Sequence, residues 1–381
     1  MNKECIKTLY ENKSINVEIE AGITVKIKED VFRPGTVRVH LPAPINASWL
    51  KEGRLIDSEP MFRMMSVEDY PQRSAYFNEI MSENTPFSIV YAFNSEHTYT
   101  EPDISLIDHT PQKSFAKEEI AKFSAAGHCG CESYTALPFD RVTIKDVAGE
   151  KGLKFKDSYK NFLKNNGIDT DTTETIKARG TLARKIYELI VKTYEATAEE
   201  TLNMAFVSMC RMCGIPARWQ GGWAMSDQSE SPDTPGMSKQ PASSGMSELP
   251  PSSCMSEAQN ACTQNAKAHD WALIHLLPYG WIYVDCEFAK KAGNEKIPGT
   301  DILLKDYFFG NIDPCMVPTA SAPAADLYPA KDYPRADEIF NTRGEVELIP
   351  DKMTGEGHYD GYGLNCNEFE SAVIINVLNI S

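Results

Sequence analysis

The chain of 381 residues has no long apolar run and no excess of basic residues. A membrane helix needs about 20 consecutive apolar residues, so we expect no spanning segment. The opening stretch Met1–Cys5 is polar and lacks the apolar region of a secretory signal. With 54 acidic and 38 basic residues, the net charge is −16, which argues against binding nucleic acid through its phosphates. We therefore expect a cytoplasmic protein with neither membrane nor nucleic acid as a partner.

The ten cysteines are scattered rather than spaced as a disulfide framework. In a chain without a signal segment, such cysteines are expected to be reduced thiols. The stretch 128–131, His-Cys-Gly-Cys, has metal-ligand character, but no second pair at zinc-finger spacing accompanies it. Cys210 and Cys213 have CxxC spacing within an apolar helical stretch, which favours buried packing. The sequence therefore predicts no metal and no cofactor.

The N-terminal part of the chain, residues 1–105, is predicted to be β-rich. Its strands alternate apolar and polar residues, the pattern of strands with one buried face. Short strands of this kind fit a small antiparallel β-sandwich. Residues 106–175 are mixed and polar, and we interpret them as a connecting region with a short helix at 155–163. The alternating stretches are 17–20, 25–28, 37–41 and 87–93.

A different composition begins near residue 176. Apolar residues recur at helical spacing within 181–193 and again within 197–213, which predicts two helices. Thr197 and Glu200 have the spacing of a capping box at the start of the second helix. Gly214 is placed to end this helix in the left-handed conformation, and a strand is predicted to follow.

The stretch 225–267 is rich in Ser, Pro, Met and Gln and cannot bury enough surface to order itself. We predict a disordered insert, which is either a lid over a cleft or a drifted loop. Strands 269–276 and 281–285 follow, joined by a turn containing Pro and Gly, and form a hairpin. Residues 306–381 are predicted to be a C-terminal extension that packs on the core and ends in a strand at 372–378.

On this hairpin, His269 and Asp285 occupy neighbouring strands, roughly diagonal to each other and within hydrogen-bond reach. A histidine base and a carboxylate that orients it are two members of a nucleophile–base–orienter site. A thiol nucleophile works best at the N-terminus of a helix, where the helix dipole lowers its pKa. The start of the predicted helix 197–213 is therefore the expected place for the third member.

Three motifs in this order resemble the transglutaminase-like superfamily, and bacterial members in particular. They are Gly-Ile-Pro-Ala-Arg at 214–218, His-Asp-Trp at 269–271 and Pro-Tyr-Gly-Trp-Ile-Tyr-Val-Asp at 278–285. The resemblance is strong over 180–350 and weaker over 1–175. The family shares its fold with papain-type cysteine peptidases, and its members act on amides through a cysteine thiol.

The resemblance implies an α+β fold in which the N-terminal β-sandwich precedes a transglutaminase-like domain over 176–305. In that domain a helix packs on an antiparallel sheet. The family assigns His269 as the base and Asp285 as its orienter. It places the nucleophilic cysteine fifteen residues before the glycine of the Gly-Ile-Pro-Ala-Arg motif, and that position is Glu199 here. The resemblance therefore assigns no nucleophile.

Other cysteines are poor replacements. Cys210 lies about 16 Å further along the helix at 1.5 Å per residue. Cys286 directly follows Asp285, and strand alternation predicts that it points to the opposite face. Cys254 and Cys262 lie in the predicted insert and could visit the site, but without the fixed geometry that favours catalysis.

Two functional interpretations stay open. In the first, the chain is a degenerate transglutaminase-like protein that keeps the cleft to bind a peptide-like ligand or a protein partner, with Trp223 and Trp271 as candidate contacts. In the second, it is an active cysteine hydrolase or transferase in which a relocated thiol works with His269 and Asp285. A third, functionless interpretation is that the chain is a variant that lost a segment.

Overall fold

The structure is a computed structural model that describes residues 1–67, 70–112, 150–168, 178–196, 200–225, 262–323, 325–337, 340–351 and 361–381. Helices and strands are numbered below in chain order within these ranges. None of the described helices is both long and apolar enough to cross a membrane.

The described helices are α1 Lys3–Asn12, α2 Ile104–His109, α3 Glu150–Asn165, α4 Arg179–Thr193, α5 Leu202–Met212, α6 Cys286–Ala292 and α7 Leu304–Tyr307. The described strands are β1 Ser14–Ile27, β2 Gly35–Pro42, β3 Leu50–Glu59, β4 Met64–Met65, β5 Ser74–Met81, β6 Phe87–Thr98, β7 Ala217–Met225, β8 Cys262–Leu276, β9 Gly280–Val284, β10 Phe309–Gly310, β11 Val317–Ala320, β12 Glu345–Pro350, β13 Tyr362–Gly363 and β14 Phe369–Ile380. The helix predicted at 155–163 is the central part of α3.

The strands form two sheets. The larger sheet has the order β10-β9-β8-β14-β1-β6-β3, with β7 pairing β8 and β11, and the smaller one has the order β13-β12-β2-β5-β4. Alternating apolar residues of β1 and β2 are buried, which gives each sheet one apolar face. These faces meet where Phe77 of β5 packs edge-on against Phe87 of β6, with ring centroids 5.5 Å apart. With helices packed on an antiparallel sheet, the predicted α+β class is confirmed.

The sequence predicted a sandwich formed by residues 1–105 alone. In the structure, later parts of the chain add strands to it. Strand β14 pairs along β1, from Val17 opposite Ile380 to Ile27 opposite Phe369. Strand β12 pairs with β2 in the smaller sheet. The end of the chain therefore contributes one strand to each sheet of the N-terminal sandwich. The predicted boundaries between domains stay predictions.

Strand β8 connects the sandwich to the helical half of the molecule. Its first residues, 262–265, pair with β14, and its later residues pair with β7 and β9. The strand begins earlier than predicted, so residues 262–267 belong to a strand and not to an insert. The remainder of the predicted insert, 226–261, lies outside the described residues. His269 lies near the middle of this shared strand.

Helix α5 packs on β7 and β8 and buries most of its side chains. It begins one turn later than predicted, because Thr201 is its N-cap: the Thr201 hydroxyl accepts a hydrogen bond from the Met204 N–H at 3.1 Å. The Glu200 carboxylate accepts hydrogen bonds from the Tyr159 and Tyr194 hydroxyls, and the predicted capping box between Thr197 and Glu200 stays a prediction. Thr197 lies outside the described residues. Gly214 has φ 71°, the left-handed conformation predicted for the helix end.

Candidate active site

The structure brings His269 and Asp285 together. The Nε2 atom of His269 lies 2.7 Å from Oδ2 of Asp285, and both side chains are buried. Asp285 directly follows β9 and is the N-cap of α6, where its Oδ1 accepts a hydrogen bond from the Phe288 N–H at 2.9 Å. One carboxylate oxygen thus holds the imidazole and the other holds the helix, so the chain has little freedom to separate the pair.

The first turn of α6 also fixes the plane of the imidazole. The Phe288 ring stacks on His269 with centroids 4.0 Å apart and an angle of 17° between the planes. With Asp285 bound at its Nε2 edge and Phe288 on its face, His269 presents its Nδ1 edge to the remaining neighbours.

The group facing that edge is Glu287, which the sequence analysis did not find. Its Oε2 atom lies 3.6 Å from Nδ1 of His269. The backbone N–H of Leu202, the first residue of α5, interacts with the same carboxylate and favours its charged form. Glu287 therefore lies beside the histidine and the N-terminus of α5, where the sequence analysis expected a thiol. The available signal was an Asp-x-Glu pattern before an apolar run, which is typical of a helix start.

The charges of this cluster change the protonation of its members. Burial lowers the pKa of His269, but the charge and hydrogen bond of Asp285, with smaller effects of Glu287 and Asp270, overcome burial and raise the pKa to about 9. Burial and the charge of Asp270 raise the pKa of Glu287 to about 7, although His269 opposes this shift. At neutral pH His269 is consequently an imidazolium between two carboxyl groups.

Asp270 ties the three elements of the site together from the other face of β8. Its carboxylate accepts hydrogen bonds from the Thr201 hydroxyl and the Trp219 indole N–H. The Asn203 amide donates to the Asp270 carbonyl at 2.8 Å, and its oxygen accepts the Cys286 N–H at 2.8 Å. Through these contacts the first turns of α5 and α6 are held against β8.

Comparisons with known proteins agree with the position of this site in the chain. Residues 197–286 match the model of the transglutaminase-like superfamily. This segment is transglutaminase-like. It contains α5, β7, β8 and β9 and ends at the first residue of α6, so it includes His269 and Asp285, while Glu287 follows directly after it.

The chain was also compared with solved structures and with curated proteins. The crystal structure of a "putative cysteine protease" from Cytophaga hutchinsonii matches 94% of this chain and 90% of its own, with 13% identity and a TM-score of 0.40. No curated protein matches the chain.

Within the transglutaminase-like segment, three described cysteines are unsuited to act as nucleophiles. Burial raises the pKa of the Cys210 and Cys286 thiols well above the ordinary value, and that of Cys213 to about 12. A thiol attacks as a thiolate, so these groups are unreactive at neutral pH. The sequence analysis placed Cys286 on a strand, but in the structure this residue is the first of α6. Glu199 and Cys254 lie outside the described residues. Cys262 is the first residue of β8 and lies opposite Val377 of β14 in the sheet.

The two tryptophans predicted to contact a ligand are part of the core. Trp223 and Trp271 are fully buried. The Trp223 indole N–H donates to the Thr342 carbonyl and that of Trp271 to the Gln220 side chain, both at 2.9 Å. Both side chains are therefore packed and hydrogen-bonded inside the protein, and their contact with a ligand stays a prediction.

In the described parts of the chain, no group of three or more His, Cys, Asp or Glu side chains has the arrangement of a metal site. The cluster at 128–131 lies outside them.

Proposed function

We propose that this chain is a degenerate transglutaminase-like protein that binds peptide-like ligands at its cleft and does not transfer acyl groups through a thiol. The observation that carries this proposal is the position of Glu287, whose carboxylate faces His269 Nδ1 and the N-terminus of α5. A thiolate would need these same two neighbours.

A carboxylate keeps the electrostatics of the site but not its covalent chemistry. Like a thiolate, the charged form of Glu287 pairs with the imidazolium of His269. Its attack on an amide carbonyl would give a mixed anhydride, which is higher in energy than the amide it replaces. The cluster is therefore suited to hold charge and to accept hydrogen bonds rather than to form an acyl intermediate.

The exposure of the three side chains supports a ligand that offers N–H groups. His269 and Asp285 are 3% and 0% exposed, whereas Glu287 is 37% exposed. A ligand in the cleft thus reaches Glu287 first and meets a carboxylate acceptor. Peptide amides and ammonium groups are the donors that such an acceptor binds.

A labelling experiment tests the absence of a thiol mechanism. The protein would be treated with iodoacetamide at neutral pH, and labelled peptides of wild type and His269→Gln would be quantified by mass spectrometry. We expect slow labelling that is spread over several cysteines and equal in both proteins. One fast, stoichiometric label that disappears in His269→Gln would overturn the proposal and identify a relocated nucleophile.

A binding experiment tests the ligand class. The tripeptide Gly-Lys-Gly and its fully acetylated, amidated form would be titrated into labelled protein and followed by NMR. We expect chemical-shift changes at residues around Glu287. The affinity should be about tenfold weaker in Glu287→Gln and unchanged in Glu188→Gln, which alters an exposed carboxylate on α4. Binding of neither peptide, or equal binding in both variants, would contradict the proposal.

A further inference from the structure

A cavity of about 240 Å³ lies where the edge of the sandwich meets the hairpin β8–β9. Its walls come from the start of β3, the end of β6, strand β9 and the segment 310–312. It contains none of the residues assigned to the transglutaminase-like site, so the inference below does not depend on the proposed function.

His97 forms part of the inner wall of this cavity. Its side chain is 5% exposed and stacks on Trp49, with centroids 4.9 Å apart. Its Nε2 is buried and has no hydrogen-bond partner in the described residues. Burial lowers the pKa of His97 to about 3, so the ring is neutral. The ring therefore shapes the wall as an uncharged aromatic surface.

Aromatic faces and hydroxyls form the rest of the wall. Trp281 and Tyr283 lie on β9 and are partly exposed. The Arg218 guanidinium lies 4.3 Å from the centroid of Trp281 and helps to fix that ring. Ser48 and Thr98 supply hydroxyl groups.

The charges at the rim neutralise each other. Lys51 Nζ lies 3.4 Å from Glu96 Oε2, and both side chains are about half exposed. The cavity therefore has no net charge to attract a strongly ionic ligand.

Several contacts make the cavity a preformed one. The Ser48 and Tyr283 hydroxyls are 2.9 Å apart and join its two sides. The Asn311 side chain makes two hydrogen bonds of 2.8 Å with the backbone of Thr100. Gly310 has φ 138°, and a Cβ there would lie 2.6 Å from the Thr100 carbonyl, so the close approach needs glycine.

We propose that this cavity binds a single neutral sugar ring. Such a ring offers an apolar C–H face to Trp281 and Tyr283 and hydroxyls to Ser48 and Thr98. The volume suits this size, because pockets for drug-sized ligands start at about 300 Å³.

Calorimetric titration of the full chain with methyl glucoside, methyl galactoside and N-acetylglucosamine tests this proposal. We expect at least one sugar to bind in the millimolar range or more tightly. Trp281→Ala should weaken that binding about tenfold, and Tyr328→Ala, an exposed aromatic outside the cavity, should leave it unchanged.

Thr98→Val serves as a second variant if Trp281→Ala fails to fold. It keeps the shape of a β-branched residue and removes only the hydroxyl, so a weaker affinity with an unchanged melting temperature would support the site. If none of the three sugars binds, or if binding is equal in wild type and both folded variants, the proposal is wrong.

Discussion

His269 carries a positive charge inside the protein, where burial alone would keep it neutral. Two carboxyl groups outweigh burial, one at each ring nitrogen. Asp285 is the N-cap of α6 and is held in place by this helix. Glu287 lies two residues further along the same turn. The charge of His269 is therefore a property of how α6 begins and not of the histidine alone.

This arrangement predicts a pH dependence of stability. Because the pKa of His269 is raised from 6.5 to about 9 on folding, its charged form stabilises the folded state fully below pH 6.5. That stabilisation is lost as the pH rises through about 9. We expect the difference in free energy of unfolding between wild type and His269→Gln to shrink by about 2–3 kcal/mol from pH 6.5 to 9.5.

Urea denaturation of both proteins across this range measures the difference, and His109→Gln, an exposed histidine at the end of α2, is the control. A difference that is constant from pH 6.5 to 9.5 would show that His269 is not held in its charged form.

At the site, the sequence predicted one pair of residues and missed the third. The spacing of 269 and 285 on a hairpin predicts that they meet, since hairpin geometry is local. The position of Glu287 depends on the chain leaving β9 and starting a helix at once. The sequence analysis instead extended the strand to Cys286, and so placed this residue in a strand rather than at the start of α6.

At the scale of elements, β7 must approach β11 closely behind the histidine. Gly222 lies opposite His269 in the pairing of β7 with β8. A Cβ at Gly222 would lie 1.9 Å from the Val317 carbonyl oxygen on β11. The backbone of the neighbouring strand thus occupies the space of a side chain, and no rotamer change can relieve the overlap.

We therefore expect Gly222→Ala to lower the free energy of unfolding by about 3 kcal/mol. Gly53→Ala is the matched control, because Gly53 also lies in a strand and a Cβ there meets nothing within 4 Å. Its effect should stay within about 0.5 kcal/mol. Equal losses in the two variants, measured by urea denaturation, would show that the approach of β11 is not constrained.

The start of α5 shows the limit of local sequence patterns for an element. The sequence predicted Thr197 as the cap, with Glu200 three residues later, whereas Thr201 is the N-cap of α5 in the structure. The Glu200 carboxylate also accepts hydrogen bonds from the Tyr159 and Tyr194 hydroxyls. Tyr159 belongs to α3, far back in the sequence, so a capping rule that considers only neighbouring residues cannot include this contact.

At the scale of the whole molecule, β14 is the strand that joins the two halves. Its existence was predictable from an apolar run near the chain's end, but its partners were not. Local periodicity identifies a strand with a buried face, whereas the pairing of residue 17 with residue 380 depends on the complete topology. The division of the chain into an N-terminal sandwich and a later core overlooked this long-range pairing.

A charge placed in β14 should therefore destabilise both halves together. Ile375 is fully buried and lies opposite Ala21 of β1 and Gln264 of β8. Ile375→Asp puts a carboxylate without a partner in this position, so we expect the free energy of unfolding to fall by about 3–5 kcal/mol. Asn379→Asp, on an exposed position of the same strand, should cost less than about 0.5 kcal/mol.

Hydrogen exchange distinguishes one cooperative unit from two. Because β14 is hydrogen-bonded to both β1 and β8, the amides of β1 in the sandwich and of β7 beside His269 should lose protection by the same free energy in Ile375→Asp. If β7 kept its protection while β1 lost it, the transglutaminase-like segment would be stable without the sandwich. Equal losses would mean that the geometry around His269 depends on β14, a strand that begins one hundred residues further along the chain.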